Sequence, residues 1–253
     1  MNPLTVLFEE EGISLSSNGG GIHTLCLNRG QNVINPEMIN SVSKALDVFE
    51  TQVDHPKALI VLGEQKNKFF SNGLDLRFLQ SHSDPENNAM IQSYWKHVLA
   101  RLLIMDCRTV AAINGHAFGA GLFLALACDY RVMRTKRGFL NWPELNLGMK
   151  LAKGFAELTK AKVTDPQLLR EGVLTGKRYT SGEALARGLI DAECSVEDLL
   201  RHAHELARAG LPKQLKAKFF NPKSFQMMKI ELYTDAYRAL VMAKADTPSH
   251  SRL

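Results

Sequence analysis

Several familiar chemical signatures are missing from this chain. It has no Gly-x-Gly-x-x-Gly segment and no Gly-x-x-x-x-Gly-Lys segment, so the phosphate cradles of dinucleotide- and nucleoside-triphosphate-binding proteins are not expected. No serine sits in a Gly-x-Ser-x-Gly elbow, which argues against an α/β-hydrolase triad. Cysteine is scarce: Cys26, Cys107, Cys128 and Cys194 lie far apart, with no Cys-x-x-Cys pair and no histidine at metal spacing. Buried free thiols in a reducing compartment fit that pattern better than disulfides or zinc, and no metal site is expected. No apolar run approaches the length of a membrane-spanning helix. The opening residues Met1-Asn2-Pro3-Leu4 lack the charged-then-apolar order of a signal peptide. Internal repeats and low-complexity tracts are absent.

What is present fits one α/β domain with room for a small appendage: 253 residues, a formal charge of +5 and 45% hydrophobic residues. A core of this size supports itself. Basic residues gather at Arg131, Arg134, Lys136 and Arg137, and again at Lys213, Lys216, Lys218, Lys223 and Lys229. Solvation accounts for most of them. A polyanion partner is the functional alternative. No interleaved aromatic platform accompanies the charges, so nucleic acid is a weaker choice than a phosphorylated cofactor.

Two segments carry the most information. Asn114-Gly115-His116-Ala117-Phe118-Gly119-Ala120-Gly121 follows the apolar run Val110–Ile113 and precedes another, Leu122–Cys128. That order predicts strand, glycine-rich turn and buried helix. Small residues at a helix start let a ligand approach the backbone, and the free N–H groups there can hold a developing anion. Phe69-Phe70-Ser71-Asn72-Gly73-Leu74-Asp75-Leu76 follows a second strand, 58–63, and Asp75 suits the start of the next helix. Two such elements can aim two N–H groups at one oxyanion.

Elsewhere, residues 6–28 read as two alternating runs around a Ser17–Gly21 turn. Pro36 opens a helix to about Gln52, with Met38, Val42, Ala45, Leu46 and Phe49 on one face. A helix over 85–104, strand 109–113, helix 119–127 and strand 129–134 follow. The alternation predicts crossover units and a largely parallel sheet. Further helices are expected at 165–174, 181–187 and 196–209. A long one is expected from Ser224 to about Ala243, whose apolar positions, Met228 and Leu232 among them, could form an interface.

Glu144 lies in the mostly apolar segment Phe139–Gly148. Buried there, its carboxyl would have a raised pKa and could act as a base near neutral pH; exposed, it is an ordinary loop glutamate. His116 reads as a hydrogen-bonded structural residue, and Asp75 as a helix cap.

Taken together the segments resemble the enoyl-CoA hydratase/isomerase (crotonase) superfamily, over about Ile22 to Val196. Leu27-Asn28-Arg29, Phe70-Ser71-Asn72-Gly73-Leu74-Asp75-Leu76, Ala112–Gly121, Cys128-Asp129-Tyr130-Arg131 and Pro143-Glu144-Leu145-Asn146-Leu147-Gly148 carry the resemblance by their order and spacing. It implies an α/β fold, a spiral of ββα repeats with a C-terminal helical trimerisation region. The corresponding divisions are a core at 1–195, helices at 196–245 and a flexible tail at 246–253. It also implies a fatty acyl-CoA substrate, with CoA as part of the substrate and no separate cofactor, and assembly as a homotrimer or a dimer of trimers. Neither a nucleic-acid partner nor a membrane span is implied. By position the oxyanion amides are those of Leu74 and Ala120, flanked by Gly73, Gly119 and Gly121. The backbone near Asn72 would meet the adenine, Arg77 the CoA phosphates, and Lys229 a neighbouring subunit.

One departure matters most. Hydratases of the family hold a water between two glutamates. Glu144 matches the second, but Phe123 stands at the first. A single base beside an apolar wall resembles the Δ3,Δ2-enoyl-CoA isomerases, especially the plant peroxisomal type. Hydration, dienoyl isomerisation, thioester hydrolysis, or a non-catalytic acyl-CoA- or RNA-binding role are the alternatives. After Gly148 the usual proline- and glycine-rich loop is replaced by Met149-Lys150-Leu151-Ala152-Lys153-Gly154. The terminal Ser251-Arg252-Leu253 reads as a variant of the Ser-Lys-Leu address, implying a peroxisomal import receptor as partner.

Overall fold

A computed structural model describes residues 4–53, 57–209 and 221–245. The chain begins with two hairpins rather than one. Strands β1 (Thr5–Glu10), β2 (Ile13–Ser17) and β3 (Ile22–Leu27) pair antiparallel in succession. The additional turn falls at Glu11-Gly12, where both residues have positive φ, 48° and 77°. Glutamate is not a turn residue, so only Gly12 signals the reversal. Helix α1 (Pro36–Glu50) starts where its sequence says it should. Asn35 caps it by accepting from the Met38 amide, Pro36 sits in the first turn, and the expected apolar face is buried.

From there the chain repeats one move: a strand for a large sheet, a short strand for a second sheet, then a helical turn. Strand β4 (Ala58–Gly63) leads to β5 (Phe69–Ser71) and helix α2 (Leu76–Ser81). An insertion follows: α3 (Asp84–Tyr94), a π-helical turn (Trp95–Leu99) and α4 (Ala100–Leu103), where one continuous helix is expected. Strand β6 (Arg108–Ile113) leads to β7 (His116–Phe118) and α5 (Ala120–Ala127). Strand β8 (Tyr130–Arg134) leads to β9 (Leu140–Asn141) and a 3-10 turn at Leu145–Leu147.

Helices α6 (Lys153–Lys162) and α7 (Pro166–Thr175) come next, then β10 (Arg178–Tyr179), α8 (Ser181–Ala186), β11 (Ala192–Cys194) and α9 (Leu199–Ala209). Helix α6 is absent from the sequence expectation. The expected long helix is two, α10 (Pro222–Leu232) and α11 (Thr234–Met242), interrupted at Tyr233. Its ring lies under the Lys162 ammonium, 4.5 Å from the centroid, and its hydroxyl accepts from that group at 3.3 Å.

The large sheet runs β1-β2-β3-β4-β6-β8-β11 and is parallel from β3 onward; the small one runs β10-β9-β7-β5. Every residue of β4 is buried, as a parallel strand covered on both faces requires. One face carries the main core with α1 and α5. On the other, Leu199, Ala203 and Ala207 of α9 pack on Ile60, Val110, Ala112 and Val132. A division at 195/196 therefore separates β11 from a helix that lies against the same sheet. All four cysteines are unpaired; three are buried and Cys26 partly so. No helix among the described residues is long and apolar enough to cross a membrane. The expected tail at 246–253, with its Ser251-Arg252-Leu253, and Lys213, Lys216 and Lys218 fall outside the described residues.

Candidate active site

The spiral brings the two strand–turn–helix starts side by side. Gly73 has φ +85°, and a Cβ there would lie 2.6 Å from the Phe118 carbonyl oxygen and 3.4 Å from the Ala120 nitrogen. Only glycine fits that contact in that conformation. Ile34 clamps the first turn: its amide donates to the Gly73 carbonyl (2.8 Å) and its carbonyl accepts from Asp75 N–H (3.0 Å). The residue between them is Leu74. Asp75 caps α2 by accepting from the amides of Arg77 and Phe78. At the second start, Gly119 has φ +48°. The buried Tyr94 hydroxyl donates to the Ala120 carbonyl at 2.8 Å, fixing the first residue of α5. Among the described residues no acceptor takes the Leu74 or Ala120 N–H. Gly121 does not reach this space. A Cβ on it would strike the Ser71 carbonyl at 2.4 Å, so its smallness lets α5 pack on β5.

Glu144 faces the same point. It stands between Pro143 and the 3-10 turn, held by Met149 N–H donating to its carbonyl at 2.8 Å. Its Oε1 lies 3.7 Å from where a Gly119 Cβ would be. Its Oε2 is buried with no hydrogen-bond partner among the described residues. Burial pushes the carboxyl up from its ordinary 4.5 to about 7, against a weaker lowering by a backbone hydrogen bond. The buried alternative for Glu144 is the one the structure adopts.

These groups line a cavity of about 60 Å³ with Gly73, Leu74, Ala120, Glu144, Met149 and Phe155 on its walls. Glu144 is the only carboxylate among its described lining residues. It adjoins a wider cleft of about 560 Å³ that shares Asn72 and Leu74 and carries Arg29, Arg77 and Arg178. Three guanidinium groups face the single carboxylate of Asp75 on its walls, and Arg29 is also paired with Glu11 at 2.8 Å, so the lining is net cationic.

Two expected site residues are placed differently. Phe123 is fully buried and does not touch the cavity. Its ring stacks on Phe155 with centroids 4.2 Å apart and planes 12° apart, and Phe155 forms the wall. Lys229 is 5% exposed; its ammonium donates to Asp129 Oδ2 (2.7 Å) and the Cys107 carbonyl (2.8 Å) of its own chain. That side chain is engaged within its own chain, where the resemblance implied a neighbouring subunit. His116 also differs. Its Nδ1 has no hydrogen-bond partner among the described residues, and its ring packs among Phe69, Phe118 and Phe139. Burial, then Lys68, Arg178 and Arg137, lower its pKa.

Sequence reasoning missed Tyr94, Phe155, Arg29 and Arg178 as site residues. Arg29 belongs to the Leu27-Asn28-Arg29 segment and was within reach. The others come from distant elements with no local marker.

Residues 17–244 match the family model for enoyl-CoA hydratase/isomerase. The chain is 34% identical over 220 residues to enoyl-CoA delta isomerase 3 of Arabidopsis thaliana, covering 85% of this chain and 90% of that one. It is 32% identical to the peroxisomal enoyl-CoA delta isomerase 2 of the same plant, covering 81% and 85%. The crystal structure of an enoyl-CoA hydratase from Mycobacterium ulcerans superposes with a TM-score of 0.78 at 25% identity, covering 90% and 94%. Two sheets wound from ββα turns, with paired turn–helix starts facing a buried carboxylate, define a crotonase-fold enzyme. The chain belongs to the enoyl-CoA hydratase/isomerase family.

Proposed function

We propose that this protein isomerises 3-enoyl-CoA to 2-trans-enoyl-CoA, as β-oxidation of unsaturated fatty acids requires. One observation carries the reading: among the described residues, Glu144, with its unpartnered Oε2 and a pKa of about 7, is the lone carboxylate on a cavity that Phe118 and Phe155 also line. The Glu144 carboxylate removes a C2 proton. The electron pair moves onto the thioester oxygen, giving a dienolate held by the Leu74 and Ala120 N–H groups. Each such donor contributes about 2.7–4 kcal/mol in comparable sites. The dienolate collapses as Glu144 returns the proton to C4, and the double bond moves to C2–C3. Phe155, backed by Phe123, supplies no hydrogen bond to a water, so hydration at C3 is disfavoured. Arg29, Arg77 and Arg178 meet the CoA phosphates, with the backbone near Asn72 at the adenine. No separate cofactor enters this scheme. The names of the Arabidopsis relatives support the reaction.

Hydration is the second reading, favoured by the likeness to the mycobacterial hydratase. Purified protein given 3-enoyl-CoA and 2-enoyl-CoA in parallel decides between them. Isomerisation should be the faster reaction. Faster loss of the conjugated thioester absorbance, with 3-hydroxyacyl-CoA as product, would replace the isomerase reading by hydratase.

A peroxisomal location is proposed alongside, supported by the peroxisomal relative. An N-terminally tagged chain should coincide with a peroxisomal marker, and deletion of residues 252–253 tests the expected address. Assembly as a homotrimer or dimer of trimers is proposed from the family resemblance.

A further inference from the structure

The chamber that holds Glu144 is much smaller than the cleft that leads to it. The cleft, about 560 Å³, lies in the range of roughly 300–1,000 Å³ usual for ligand pockets. The chamber is about 60 Å³. Phe155 forms part of its wall, and that ring is immobilised on two sides. Phe123 stacks on one face at 4.2 Å, and Trp95 meets it edge-on at 5.4 Å and 85°. Trp95 is itself fully buried, and a Cβ on Gly154 would come within 2.7 Å of its indole, so α6 already rests on that ring. Trp95 opens the π-helical turn, a rare distortion that occurs frequently at functional sites. Swinging Phe155 aside would displace Phe123 or Trp95 from a close-packed interior, which responds to changes as small as one methylene. Met149 also lines the chamber and is the more adaptable side chain.

We infer that Phe155, locked between Phe123 and Trp95, terminates the acyl chamber and restricts the protein to short-chain acyl thioesters. Naming the substrates as 3-enoyl thioesters rests on the isomerase reading; the limit on chain length rests on the cavity. A chain too long for the closed chamber must withdraw from it, giving up the burial that a short chain keeps there, about 0.8 kcal/mol for each methylene.

The test uses saturated thioesters, which undergo neither isomerisation nor hydration. Calorimetric titration of the wild-type protein should give hexanoyl-CoA a dissociation constant below that of dodecanoyl-CoA by about ten-fold or more. Phe155→Ala should erase most of that ratio by strengthening dodecanoyl-CoA binding. Phe155→Leu keeps the core filled and should fall between, which preserves the test if the alanine variant does not fold. Equal wild-type affinities, or a ratio unchanged in a folded variant, would overturn the length limit. These constants do not depend on turnover. A length preference without 3-to-2 isomerisation sinks the reaction and leaves the limit standing; isomerisation without length preference does the reverse.

Discussion

At the residue scale the chemistry converges on Glu144. Its neighbours are apolar in sequence, and in space its Oε2 has lost water without gaining a donor. Glu144→Gln keeps the shape and removes the base, so turnover should fall by about 100- to 10,000-fold with CoA binding retained. A variant keeping more than about a tenth of the rate would assign the proton transfer to another group. In the wild type, kcat/KM should rise with pH through about 7 as the carboxyl ionises. The same group acts on stability. Folded, it holds its proton up to about 7; unfolded, only to its ordinary 4.5. Between those values the folded state binds more protons, so stability falls as pH rises through the window and stays lower above it. Glutamine does not titrate. Urea midpoints should therefore show Glu144→Gln more stable than wild type at about pH 8, by on the order of 1–3 kcal/mol. The advantage should vanish below about 4.5, the ordinary carboxyl value. A constant difference across the range would mean that the carboxyl is not perturbed.

At the scale of elements, helix α10 shows how a residue type can mislead. Lys229 reads as one of a basic cluster serving a neighbouring subunit, yet it ties α10 to the start of β8 through Asp129, whose carboxylate also accepts from Thr109 N–H at 2.8 Å. Both side chains are nearly buried, 6% and 12% exposed. Replacing Lys229 with methionine leaves Asp129 without its cation, and breaking such a pair costs about 3–5 kcal/mol. The expected outcome is a lower melting temperature with KM for acyl-CoA unchanged. A raised KM in a stable protein would return Lys229 to the binding site. Local signals did reveal the Pro36 start of α1, the Asp75 cap of α2 and the glycine turns that start α2 and α5, because each depends on residues close together in the chain. The π-helical turn and α6 left no such mark. The pattern of 85–104 is helical throughout, and Trp95–Leu99 departs from it where Trp95 packs against Phe155 and Gly154, some sixty residues later. Phe123 was recognisable as a position without a carboxylate, but the wall it supports is Phe155 on that unforeseen helix.

For the whole molecule, the parallel sheet and the spiral order could be read from alternating apolar runs, whereas the way the C-terminal helices divide their apolar positions could not. Ala236, Ala239 and Leu240 of α11 are buried against the chain's own core, packed largely on α6. On α10, Met227, Met228 and Leu232 remain 49%, 71% and 71% exposed, and Met242 of α11 is 77% exposed. A single exposed apolar residue needs no explanation, but several on consecutive helices are what the proposed assembly would use. With the proposed trimer, that cover is a second copy of this chain. Met228→Glu combined with Leu232→Glu places two carboxylates on the patch without touching the buried positions of α10 and α11. Light scattering should give the wild type a mass of three or six chains and the double variant a single chain. The wild type should also melt at a temperature that rises with protein concentration, as an assembled fold does, and the variant should not. A wild-type protein that scatters as a single chain at all concentrations would remove the assembly proposal and leave the chemistry at Glu144 to be completed within one subunit.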